Sequence, residues 1–103
     1  MTGIGIIVAE VNPDRFRTAL TLAAAQGALG GRARILLDSG AVGLARASEP
    51  LLESCFDFGV EVMLCQTGLA AAGLDASTLD PRFFYGGMVS WLADLGPDRL
   101  VIA

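Results

Sequence analysis

Six successive residues near the start of the chain, Ile4-Gly5-Ile6-Ile7-Val8-Ala9, carry no polar side chain. A strand with one wet face alternates apolar and polar residues. A strand that is apolar throughout must be covered on both sides, as in parallel sheets sandwiched between helices. The rest of the chain keeps to that plan. Asn12 offers a capping side chain, Pro13 suits a first helical position and Asp14 suits the positive helix end. Phe16, Ala19, Leu20, Ala23 and Gly27 then recur at helical spacing as one apolar stripe, and Gly30-Gly31 stops the helix.

Further elements follow in alternation. Ala33 to Leu37 reads as a second strand, with Asp38-Ser39-Gly40 opening a loop at its carboxyl end. Ser48 is placed to cap a second helix whose first turn holds Glu49 and Pro50. Its buried face is Leu51, Leu52, Cys55 and Phe56, and Gly59 ends it. Val60 to Leu64 is a third strand, followed by a short helix over Thr67 to Ala72 that Gly73 closes. Residues 75–82 are irregular, and Phe83-Phe84-Tyr85 reads equally as a short strand or an aromatic loop. Met88, Trp91, Leu92 and Leu95 mark a last helix ended by Gly96-Pro97, and Leu100 to Ile102 a last strand. The expected architecture is one α/β domain over residues 1–103, a three-layer αβα sandwich on a mostly parallel sheet of about five strands.

Composition narrows the chemistry. The chain has neither histidine nor lysine, and its seven basic residues are all arginine: 15, 17, 32, 34, 46, 82 and 99. That excludes Ser-His-Asp and Cys-His catalysis, a Schiff-base lysine, a phosphate-loop lysine and every metal site that uses histidine. No metal or cofactor is expected. Scattered arginines on a chain of net charge −4 argue against direct nucleic-acid binding, which needs clustered cations. No apolar run reaches the ~20 residues of a membrane helix, and Met1 to Ala9 reads as a strand, with no basic leader to make it a signal peptide. The expected setting is cytoplasmic, with both cysteines reduced. A hydrophobic content of 53% in 103 residues exceeds what so small a core can hide. The surplus should appear as a doubly covered sheet and as contacts between copies of the chain.

In parallel sheets functional groups gather at the carboxyl ends of the strands. Connectivity puts Glu10 and Asn12, then Asp38 and Ser39, then Cys65, Gln66 and Thr67 along that rim. Gly3 and Gly5 lie before or within the first strand, so they cannot form a dinucleotide fingerprint, which must follow a strand and open a helix. Glu10 with Asp38 reads either as an acid/base pair or as a solvated rim beside a turn. Cys55, on an apolar helical stripe, reads as a small core hydrophobe. Cys65 ends a strand where a helix begins, and two readings stand: a thiolate stabilised by free amides, or a core cysteine closing the strand. Phe83, Phe84, Tyr85 and Trp91 form an aromatic group that either lines a pocket or packs between subunits.

The segment from Val60 through Cys65 to Gly73 and Leu74 resembles that of DsrE/DsrF-like proteins, where a strand ends in Cys and Gly follows eight residues on. Leu51 to Gly59 resembles the family's preceding helix. Ala28-Leu29-Gly30 resembles its lead into the second strand, and Gly86 to Val101 its last helix and strand. The resemblance implies an αβα domain assembled as a homotrimer or homohexamer, with Cys65 carrying sulfur as a persulfide between a donor and an acceptor protein. Sulfur-carrying members often place Arg directly before the Gly, where this chain has Ala72. The alternative it leaves is a non-enzymatic oligomeric binding or scaffold module of the same fold, in which Cys65 is structural.

Overall fold

The computed structural model describes residues 1–103. It contains β1 (Ile4–Val8), α1 (Pro13–Ala28), β2 (Ala33–Leu37), α2 (Pro50–Asp57) and β3 (Glu61–Cys65). These are followed by α3 (Gln66–Ala72), β4 (Phe84–Gly86), α4 (Met88–Ala93) and β5 (Arg99–Ile102). The five strands form one sheet in the order β4-β3-β2-β1-β5, and every pair is parallel. Ile6 stands between Ile35 and Val101, and Ile35 pairs in turn with Val62.

Strand order decides which face each helix covers. From β1 to β4 the chain steps one way across the sheet, so right-handed crossovers put α1, α2 and α3 on one face. The return from β4 to β5 runs the other way and puts α4 on the opposite face. Packing agrees with this. Ile4, Ile6, Val8, Ile35, Leu37, Val62 and Leu64 meet Phe16, Leu20, Ala23, Cys55 and Leu69 in one large core. The alternate positions Ile7 and Leu36 meet Trp91, with Met63, Met88 and Leu95 packed around them. Gly5 is needed on this second face. A methyl group there would lie 2.8 Å from Trp91 Cη2 and 2.5 Å from Leu95 Cδ1, so bare backbone lets α4 sit directly on β1. No helix is long and apolar enough to cross a membrane.

Several sequence expectations need adjustment. The cap of α2 is Glu49, whose carboxylate accepts from the Leu51 amide at 3.3 Å, while Ser48 lies exposed one residue outside. Pro50 at the first helical position fixes where α2 starts, and Glu49 then occupies the extended capping position. The segment opened by Asp38 becomes a 3-10 helix, Ser39–Arg46, that buries Ala41, Val42, Leu44 and Ala45. β3 runs one residue later than expected, so Cys65 is its last residue. Phe84–Gly86 is a strand, and its pleat divides the aromatic group. Phe83 packs edge-on against Phe56 in the large core, while Phe84 and Trp91 lie on the α4 side.

Candidate functional site

The three carboxyl-end segments converge as their connectivity implies. Asn12 Oδ1 accepts from the Asp14 and Arg15 amides, both at 3.1 Å, so this side chain serves the start of α1. Glu10 is exposed, Asp38 is half-buried, and no hydrogen bond joins their side chains. Val11 borders Gly40: a Cβ on that glycine would come 3.9 Å from Val11 Cγ2. Ser39 is the one non-glycine residue with positive φ, at 49°. This left-handed kink costs on the order of 1 kcal/mol and aims the Ser39 carbonyl at Gly68. No other residue fits at Gly68 without movement, because a methyl group there would overlap that carbonyl.

The close approach of α3 to the 3-10 helix sets the surroundings of Cys65. Its half-buried side chain caps α3, and Sγ accepts a hydrogen bond from the Gly68 amide at 3.4 Å. That is the sulfur's one hydrogen bond, and no arginine shares it. Gln66 and Thr67 are exposed beside it and make no side-chain hydrogen bonds. The rim therefore offers a sulfur with a donor aimed at it, flanked by exposed polar side chains.

Cys55 is the contrasting thiol. It is fully buried, and its Sγ–H donates to the Leu20 carbonyl at 3.3 Å. Burial pushes this thiol up to about 11, so it stays protonated and unreactive at neutral pH. An exposed network ties α2 to the loop before β4: Arg82 bridges Glu53 and Asp80 and lies 4.4 Å from the centre of the Phe56 ring. Hydrogen bonds from Arg82 hold the Asp80 carboxyl down at about 2 and lower Glu53 as well.

One residue of chemical interest escaped the sequence reading. Arg34 lies inside β2 with only 4% of its surface exposed, and its guanidinium faces Trp91. The available signal was an arginine at the second position of an otherwise apolar strand, Ala33-Arg34-Ile35-Leu36-Leu37.

Together these features define a class: a three-layer α/β sandwich on an all-parallel sheet, with a part-exposed cysteine at the carboxyl rim. Several solved structures share the fold, among them the three that follow. The ychN protein from E. coli superposes with a TM-score of 0.80 at 23% identity, covering all of both chains. The conserved protein of unknown function BT1422 from Bacteroides thetaiotaomicron gives 0.80 at 16% identity, over 98% of this chain and 94% of its own. The protein of unknown function MTH1491 from Methanobacterium thermoautotrophicum gives 0.80 at 14%, covering all of both chains. No family model matches the chain, and no curated protein does. At these identities the likeness is one of fold.

Proposed function

We propose that this protein is a cytoplasmic sulfur carrier of the DsrE/DsrF-like type, with Cys65 as the persulfide acceptor and copies of the chain assembled as a homotrimer or homohexamer. The observation that carries the reading is the contrast between its two thiols. Cys65 Sγ is half-buried with an amide donating to it, while Cys55 is sealed in the core and held protonated. The absence of histidine and lysine, fatal to most other covalent chemistry, leaves sulfur transfer intact, because an ionised thiol needs no separate base.

The step balances without an external oxidant. The Cys65 thiolate attacks the terminal sulfur of a donor persulfide. The donor S–S bond breaks as the new one forms, and the donor leaves as a thiolate that takes up the proton Cys65 released. The Gly68 amide then hydrogen-bonds the sulfur that stays attached to the chain. Transfer onward repeats the exchange, with the acceptor thiolate attacking the outer sulfur.

The alternative, an oligomeric binding or scaffold module, draws on the lack of any arginine at Cys65 and on Ala72 before Gly73. A nearby cation would stabilise an anionic persulfide, and no arginine of the chain hydrogen-bonds Cys65 Sγ. One experiment separates the readings. After incubation with a sulfane-sulfur donor, native mass spectrometry should show an assembly with one added sulfur per chain. Peptide mapping should place that sulfur on Cys65, and the gain should vanish in Cys65→Ser but persist in Cys55→Ala. An assembly that takes up no sulfur supports the module. Sulfur on Cys55 instead overturns the assignment, and a 10.7 kDa monomer overturns the assembly.

A further inference from the structure

The α4 face holds a cleft at the amino-terminal end of β2 and β3, opposite the rim that carries Cys65. Its centre is Arg34. The side chain is 5% exposed, yet its recorded partners are loose: Nε lies 3.4 Å from Glu61 Oε2, and Nη1 lies 3.4 Å from the Trp91 carbonyl. Charge-assisted N–H···O bonds close to about 2.7–2.9 Å. A guanidinium carries five donors in a rigid planar fork. None of its nitrogens is sealed without a partner, so the donors that neither Glu61 nor the Trp91 carbonyl occupies open onto the space beside it, where a ligand anion can reach them. Glu61 is a poor candidate to fill them, since 56% of its side chain is exposed and its contact is long.

Beside this fork is a cavity of about 260 Å³ lined by Arg34, Glu61, Met63, Phe84, Trp91 and Asp94. Trp91 packs under the guanidinium, whose Cζ is 5.1 Å from the ring centre, and so fixes the orientation of the fork. Met63 and Phe84 are paired across β3 and β4 and supply an apolar wall, with Phe84 half exposed. The volume falls just under the ~300–1,000 Å³ of pockets for drug-sized ligands. The matching ligand is therefore small.

We propose that this cleft binds a small organic monocarboxylate with an aromatic or short aliphatic body. The carboxylate takes the open donors of Arg34 as Glu61 swings outward, and the body lies against Met63 and Phe84. Glu61 and Asp94 line the same cleft and disfavour a second negative charge, which selects a monocarboxylate over a phosphate; Arg32, which borders the adjoining groove, is already paired with Asp98 at 2.9 Å.

Trp91 is the only tryptophan in the chain, so its fluorescence reports on the cleft directly. Titration with 3-phenylpropionate should give a saturable change at millimolar concentration, and the neutral 3-phenylpropanamide should give none. Phenyl phosphate should bind more weakly than the acid. Arg34→Met, which keeps the aliphatic cover over Trp91, should weaken the acid at least tenfold. Glu61→Gln removes the competing anion and should tighten it several-fold. In amide-correlation spectra of the unaltered protein, the Trp91 indole and Arg34 Nε resonances should move while the Gly68 amide stays fixed. That readout stands even if Arg34→Met fails to fold. No saturable change, an amide response equal to that of the acid, stronger binding of phenyl phosphate, or shifts centred on Gly68 would each overturn the proposal.

Discussion

The two faces of the sheet are covered very differently, although the strands beneath them are the same. On one side α1, α2, α3 and the 3-10 helix bury a continuous core in which Phe16, Leu20, Ile35, Leu37, Cys55 and Leu64 are all but inaccessible. On the other side the six-residue α4 helps to bury a small cluster in which only Ile7, Leu36 and Trp91 are buried apolar residues, with Met63, Met88 and Leu95 partly covered. There Phe84, Leu92, Leu100 and Ile102 remain 43–63% exposed, and an arginine occupies a strand position. The first face holds the fold together. The second keeps apolar surface and a charged cleft within reach of other molecules.

That division makes the sharpest contrast between Phe16→Ala and Leu92→Ala. Phe16 is 1% exposed and fills the space between α1 and the sheet, so its truncation should cost about 3–5 kcal/mol in urea unfolding. Leu92 sits on the outer side of α4 and should change stability by no more than ~0.5 kcal/mol in the isolated chain. Equal losses for the two would show that the α4 face is buried in the assembled protein, and the contrast between the faces would then belong to a single subunit alone.

An intermediate effect is expected at the rim, where the well-packed face meets solvent. Gly68→Ala drives a methyl group into the Ser39 carbonyl, so α3 must shift away from the 3-10 helix at a cost of about 1–3 kcal/mol. The same shift pulls the Gly68 amide from Cys65 Sγ. Alkylation by iodoacetamide should therefore change rate at Cys65 and stay undetectable at Cys55 in the folded state. An unchanged Cys65 rate would mean that the amide does not govern that sulfur.

The uneven covering also explains what the sequence disclosed. The heavily packed face is written in periodic signals: the uninterrupted Ile4–Val8 strand, the Phe16-Ala19-Leu20-Ala23 stripe and the Asn12-Pro13 start are each legible, and the structure keeps them all. Burial of Cys55 follows from the same periodicity. Boundaries fixed by a single side chain were harder to read. Glu49 displaces Ser48 as the α2 cap because Pro50 sets the first turn, a choice that both residue types allow. The rim segments converge as connectivity implies, but the Ser39–Gly68 contact rests on one left-handed residue that no spacing announces. The Arg34 cleft lay out of reach for a different reason. Its lining comes from β2, β3, β4 and α4, elements far apart in the chain, and only the sheet order brings them together. The aromatic group divides because the strand pleat sends Phe83 and Phe84 to opposite faces, leaving Phe84 and Trp91 to line the cleft.

The most closely balanced effect should come from Trp91→Phe, and its size tests how the thin face is held. Trp91 is fully buried, but its indole Nε1–H has no acceptor. Phenylalanine gives up part of the ring area over Gly5 and weakens the stacking against Arg34, each a loss of well under the ~3–5 kcal/mol of a full aromatic truncation. It also removes a buried donor whose lack of a partner costs about 1–3 kcal/mol. These terms oppose one another, so the net change in urea unfolding should stay within about 1 kcal/mol. A loss above ~2 kcal/mol would mean that the indole N–H is satisfied in solution by an ordered water or a bound molecule in the cleft. The α4 face would then owe its stability to an occupant as well as to its side chains.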